Sequence, residues 1–380
     1  MINNISFNNR LYYLVFFLCG LNLSYLYIPL FLLCVLKDSH KYLITKFNWR
    51  FLLLYFLFIA FISTLFAIGY PNFNMEKPYR VFIIVSSLGI VLGLVLNHYS
   101  PEVRRKMLNS YLLGISVQTL IIICYSYYTD PLVYGYSKLL DPFSGEQINS
   151  PSVSNNLTLF AVLLFTIFLQ REGLILKLLS LFLLLITFYF AIFLGGRAFF
   201  VVSIVAFFAI LASRMKLSSM LNLFIIVAIM IFFGNLLMQS DSHFQFIAER
   251  FSSGLESNRF KHYLYALNQM PYYPFGGFEV DSKIENTLWL HNLIFDSARV
   301  AGWIPVFVII FYTVISFLLY KTKNPDSYNK YGFLFFLCSF LLMQQDVVVE
   351  GNYRLLVVFF FSTILMIGDN NVIHSDNNKL

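Results

Sequence analysis

Apolar runs long enough to cross a bilayer recur along the whole chain, and that repetition constrains the fold more than any motif does. They lie at roughly 49–69, 79–97, 108–129, 153–170, 173–194, 197–213, 217–238, 298–320, 331–345 and 352–368, besides a stretch at 11–36. About 20 residues of helix cross the ~30 Å hydrocarbon core, so 197–213 and 331–345 are short for a span. A soluble protein with several buried helices is the alternative, and composition argues against it. Only 12% of the 380 residues are charged, while 44 Phe and 25 Tyr need cover. Soluble domains carry about 25% charged residues. The expected fold class is therefore all-α: a polytopic transmembrane helical bundle forming a single domain over 1–380.

The stretch 11–36 has two readings. One helix would be about 39 Å long at 1.5 Å per residue, which the bilayer accommodates by tilt. A hairpin broken around Gly20 to Ser24 is the other, and it gives about 12 spans instead of 11. Charge sets the orientation. Lys37, Lys41, Lys46 and Arg50 fill one gap; Arg104, Arg105 and Lys106 fill the next but one. Arg171 with Lys177, Arg214 with Lys216, and Lys321, Lys323 and Lys330 continue the alternation, so these gaps read as cytoplasmic. The gaps 70–78, 130–152, 195–196, 239–297 and 343–351 then face outward. No small-residue cleavage site follows Arg10, so no cleavable signal is expected.

The net charge of +7 lies in short gaps between apolar runs, an arrangement of membrane orientation and lipid contact, with no nucleic acid implied. Cys19, Cys34, Cys124 and Cys338 sit in or beside apolar runs without metal or disulfide spacing, and read as small hydrophobic fillers. The chain lacks HExxH, a cysteine cluster, an Asp-x-Asp motif in an outer loop and a phosphate-binding glycine loop ending in Lys-Ser or Lys-Thr. No metal, cofactor or ATP is expected.

The loop 239–297 is long for a connection and is a functional candidate on that ground. FQFIAERF at 244–251 reads as a short interfacial helix. Pro271, Pro274, Gly276 and Gly277 mark a turn, and Trp289 and Trp303 mark the water boundary. Asp130, Asp141 and Glu146 lie in the other outer loop, where they can help frame an entrance.

Cations held at the outer ends of spans are the groups most suited to chemistry. Arg197 follows Gly195 and Gly196, two residues that permit a tight turn, and its planar fork suits a phosphate or pyrophosphate. Snorkelling to lipid headgroups is its simpler reading. In SNRFKHYLYALNQM, with Ser257 or Asn258 as cap, Arg259, His262 and Tyr263 share a helix side, and Lys261 adds a second charge. An interfacial helix explains the same residues more simply. His291, at an ordinary near-neutral pKa, can pass a proton to or from a sugar hydroxyl, with Asn292 orienting it; a structural histidine is the alternative. Asp296 with Arg299, and Glu350 with Arg354, are spaced for mutual salt bridges. Asp346 lies nearby. Arg80, with Lys77 in the first outer gap, is a further phosphate contact or simply part of a helix start.

Three segments in this order, GGRAFF at the start of a span, SNRFKHYLYALNQMPYYPFGGF, and LHNLIFDSARVAG leading into another span, resemble the O-antigen polymerase and O-antigen ligase superfamily of bacterial membrane proteins. The resemblance covers residues 190–320, and the multispan layout around them agrees. Ala198 departs from the commoner glycine after the arginine. The resemblance implies transfer of a glycan from an undecaprenyl-diphosphate carrier to an acceptor sugar at the periplasmic face of the bacterial inner membrane, without metal or nucleotide sugar. It implies catalytic roles for Arg197, Arg259 and His291. Arg80, Lys261, His262, Asn292, Glu350 and Arg354 are expected substrate contacts.

A polymerase is the favoured member, because the loop is compact and rich in Tyr and Phe. A ligase acting on lipid A–core is one alternative and a lipid-linked oligosaccharide flippase another, though a transporter should show an internal repeat and none is evident. Expected partners are the lipid-linked oligosaccharide, membrane lipids and a polysaccharide chain-length regulator.

Overall fold

The structure is a computed structural model that describes residues 2–44, 49–74, 76–83, 85, 86, 89, 93, 99–129, 139–143, 145, 147–170, 173–212, 258–284, 288–322 and 325–368. The expected span 217–238, the FQFIAERF segment, Ser257, and Asp130 and Glu146 lie outside these residues. The described chain is helical apart from one antiparallel pair, Leu139–Leu140 with Gln147–Ile148. It divides into two units, Met1–Gly114 with Asn258–Leu380, and Ile115–Ser257.

Among the described residues five helical segments are long and apolar enough to span a membrane: Trp49–Asn72, Pro101–Thr129, Ser150–Leu169, Leu174–Leu194 and Trp303–Lys321. In Leu174–Leu194 a mean hydropathy of 2.4 coincides with only 22% of its window being buried. A surface so apolar and so exposed is intolerable in water and ordinary in lipid. This is an all-α membrane protein.

The first unit begins with α1 (Ile2–Gly20) and α2 (Ser24–Ile44), which pack together. The break falls where the hairpin reading puts it. Asn22, at φ 62°, makes the turn, as a short polar side chain can. Helix α3 (Trp49–Gly69) buries Leu54, Phe58, Phe61 and Leu65 at helical spacing. Phe58 stacks on Phe360 at 4.3 Å. Helix α4 (Pro101–Thr129) starts seven residues before the expected 108 and takes the basic cluster Arg104–Lys106 into its first turns.

The second unit holds α5 (Ser150–Gln170), α6 (Leu174–Leu194) and α7 (Arg197–Ala212), with α5 packed on both others. Its core includes Leu157, Phe160, Leu184, Ala191 and Phe199.

The chain re-enters the first unit with α8 (Asn258–Gln269), α9 (Leu293–Ala301), α10 (Trp303–Lys321), α11 (Ser327–Met343) and α12 (Arg354–Ile367). The expected continuous span 298–320 is in fact broken at Gly302, whose φ of 75° and ψ of −149° stop α9 while Trp303 N donates to Pro274 O at 3.0 Å. On α10 one stripe, Phe307, Ile310, Phe311, Val314, Phe317 and Leu318, is exposed; Val306, Ile309 and Tyr312 on the opposite side are buried. That division is a lipid face against a protein face. Helix α12 is buried on every side from Leu355 to Ile367, so it is the core of the unit, covered by α11, α10 and α3.

Candidate functional site

In the first unit three segments far apart in sequence meet: the start of α8, the loop entering α9, and the turn after α11. Arg259 Nη1 donates to the Gln345 carbonyl and to Gln345 Oε1, both at 3.2 Å. The remaining guanidinium nitrogens form no hydrogen bond within the described protein, and the residue is half-buried. Tyr263 OH donates to His291 O at 3.3 Å and to Gln344 O at 3.1 Å, and Asn292 Nδ2 donates to Gln344 O at 3.3 Å. His262 is buried on the same side of α8. The expected shared face of Arg259, His262 and Tyr263 is therefore present; Lys261 stands off it, exposed.

His291 has φ 56°, in the left-handed region, where a non-glycine residue costs about 1–2 kcal/mol. Its neighbours explain how the conformation is held. Asp296 Oδ1 accepts Leu290 N at 2.8 Å and Oδ2 accepts Asn292 N at 3.2 Å, so one carboxylate grips the backbone on both sides of the histidine. Asn292 Oδ1 caps α9 by accepting Ile294 N and Phe295 N. Burial pushes the Asp296 carboxyl up to about 6, against Arg299 and the two backbone N–H groups that favour its ionised form.

The expectation that His291 titrates near neutrality is corrected. Burial, then the charges of Arg259 and His262, bring it down to about 3, so it is a neutral imidazole at pH 7. Its Nδ1 is buried without a hydrogen-bond partner.

Of the two expected salt bridges, Asp296 with Arg299 is present and Glu350 with Arg354 is not. Arg299 Nη2 lies 2.9 Å from Glu350 Oε2, and Arg299 Nε 3.7 Å from Asp296 Oδ1. Glu350 does not pair with Arg354, because 348–353 is a turn and the helix begins only at Arg354. Its other oxygen, Oε1, accepts Asn74 N at 3.0 Å. Glu350 thus ties three segments together, and Asp346 likewise bonds inside its own loop, to Val347 N and Asn352 Nδ2. Arg80 is exposed at the start of the helical turn over 78–83, as the simpler reading had it, and joins none of these hydrogen bonds.

Arg197 belongs to the second unit, where it is the first residue of α7. Gly195, at φ 63°, ends α6 and returns its N–H to Ala191 O and Ile192 O. Gly196 is needed for closeness: a Cβ there would lie 1.9 Å from Ser154 Oγ. The two-residue connection expected from GGR is borne out. Ser154 Oγ and Asn155 Nδ2, on α5, are buried without hydrogen-bond partners. Beside the strand pair Leu139–Leu140 with Gln147–Ile148, Asp141 is buried and caps a turn through Phe143 N at 2.9 Å.

Charge spacing misses Gln344, Gln345, Asn72 and Asn74. The signal for the glutamines was present in QQD at the outer end of a span, but amides draw less attention there than ions. Among the described residues no group of His, Cys, Asp and Glu is arranged to hold a metal.

These helices and this cluster define a class, an α-helical membrane protein with a polar cluster built from helix ends. No protein-family model matches the chain, and no curated protein does.

Proposed function

We propose that this protein is an O-antigen-type polymerase: a metal-independent glycosyltransferase that joins oligosaccharide repeats carried on undecaprenyl diphosphate at the outer face of the bacterial inner membrane. The observation that carries the reading is the pairing of a partly engaged guanidinium, Arg259, with a neutral imidazole, His291, on a rigid scaffold of backbone hydrogen bonds. In the reaction the bond from the anomeric carbon to the phosphate oxygen breaks, and the acceptor hydroxyl forms a new bond to that carbon. Negative charge develops on the departing diphosphate. A cationic fork preorganised in a half-buried site stabilises such charge without reorganising.

In the free site His291 is a weak base. A bound diphosphate beside Arg259 offsets the cation that suppresses its protonation, which raises its basicity when an acceptor proton must be taken up. Arg197, first in its helix, is a second group suited to phosphate.

The test is the surface-carbohydrate profile of a deletion strain, complemented by wild type or by Arg259→Ala. Lipopolysaccharide capped with a single repeat in the deletion and in the variant supports polymerisation. Uncapped core with long carrier-linked glycan assigns ligation instead, and an unchanged profile removes both.

A further inference from the structure

Beside this cluster, in the same unit, a cavity of about 430 Å3 opens between the residues following α3 and residues 277–282 with Leu288, with Arg299 in its wall. We propose that it binds a neutral saccharide unit. The inference rests on the glycosyltransferase reading for its biological sense, but its chemistry stands on the lining.

The size falls within the ~300–1,000 Å3 of small-ligand sites. The walls are fixed rather than loose. Asn72 Nδ2 donates to Val300 O at 2.9 Å, Asn74 N to Glu350 Oε1 at 3.0 Å, and Gly277 N to Arg299 O at 2.6 Å. Gly276 allows this packing, since a Cβ there would lie 2.5 Å from Val300 O.

Charge then excludes an anionic occupant. Arg299, the cation of the lining, is engaged by Glu350 and Asp296, and Glu279 leaves an exposed carboxylate on the wall. A phosphate would meet that carboxylate with no free cation among the described lining residues. An apolar ligand would cover acceptors it cannot serve. With their N–H groups donating to backbone carbonyls, the Asn72 and Asn74 side chains have carbonyl oxygens that receive no hydrogen bond from the described residues; Glu279 and the Ser282 hydroxyl add further acceptors.

Several fixed acceptors beside two phenylalanines, Phe73 and Phe278, suit a ligand rich in hydroxyl donors with an apolar ring face. The cavity and the cluster share Arg299: it walls the first and pairs with Asp296, the carboxylate that grips the His291 backbone. A sugar unit seated here lies next to the site where the diphosphate of the donor is held.

The experiment uses the full chain in lipid nanodiscs, with saturation-transfer NMR on neutral hexoses and N-acetylhexosamines and, separately, inorganic pyrophosphate. Wild type is expected to contact at least one sugar. Asn74→Ala and Glu279→Ala, both at exposed positions, should each weaken that contact about tenfold, the effect of one lost hydrogen bond. Arg259→Ala should leave it unchanged while abolishing pyrophosphate contact.

Absence of sugar contact in wild type, or contact indifferent to both cavity variants, overturns the proposal even where Arg259→Ala abolishes polymer in cells. Sugar contact that responds to the cavity variants, in a chain whose deletion leaves the surface polymer unchanged, leaves the saccharide site standing and removes the polymerase reading.

Discussion

The two units each present an arginine in the first turn of a helix, and they build its surroundings in opposite ways. The turn that carries Arg197 is built from backbone close packing: two glycines, the start of α7, and the neighbouring α5. Around Arg259 the partners are distant: it bonds Gln345, and the neighbouring Tyr263 bonds His291 and Gln344. A local arginine site depends on backbone sterics, and a distant one on a network of hydrogen bonds that must form together. The variants that break the two sites should therefore differ in kind.

The largest expected effect is on activity. Arg259→Ala should cut polymer formation by about a hundredfold or more, as loss of a charge-assisted contact to developing negative charge implies, with membrane insertion intact. Arg259→Lys should recover only part, because the ammonium lacks the planar fork. Arg197→Ala should act in the same direction. Full polymer from Arg197→Ala beside none from Arg259→Ala would confine the chemistry to the first unit.

Stability separates the sites next. Asp296→Ala removes a buried carboxylate and leaves Leu290 N, Asn292 N and part of Arg299 without an acceptor, so thermal unfolding should show a loss of about 3 kcal/mol. Gly196→Ala drives a methyl against Ser154 Oγ and should cost about 1–3 kcal/mol. Ser154→Gly added to it should restore most of that loss. No comparable single-residue rescue exists for Asp296.

These differences track what was legible from residue order. The GGR turn, the start of α7 and the shared face of Arg259, His262 and Tyr263 follow from local rules and were readable. The Arg299–Glu350 pair was not, because spacing rules match Glu350 to Arg354 only if the helix is already there, and a turn intervenes. The break at Gly302 was hidden for the same kind of reason. An apolar run does not show that a glycine within it takes a positive φ and docks on Pro274. His291 was identified from its sequence setting, but its low basicity comes from burial first and then from Arg259 and His262 on another helix.

A pH profile sharpens the comparison further. The Asp296 carboxyl, raised above its unfolded 3.8 to about 6, contributes stability that is full below 3.8 and lost as pH rises through about 6. His291, lowered from 6.5 to about 3, contributes stability present above 6.5 and lost as pH falls toward 3. Activity should instead fall on acidification through about pH 6, because a protonated Asp296 cannot accept both N–H groups that hold His291. Arg299 and Glu350 are the other charged groups facing this carboxylate. Asp296→Asn should remove the limb along with much of the activity, and a limb that persists in that variant would belong to another group. The smallest effects are expected at Lys261 and Arg80, exposed and outside the cluster. Alanine at either should change stability by no more than about 0.5 kcal/mol and polymer length little.

The most direct measurement is a reconstitution: purified full chain in detergent with lipid-diphosphate-linked repeat units, a chelator present, and neither nucleotide sugar nor ion gradient. The account predicts carrier-linked glycans of two or more repeats from wild type and none from Arg259→Ala. Carrier-linked products that never lengthen with the intact protein, or lengthen equally with the variant, would contradict it.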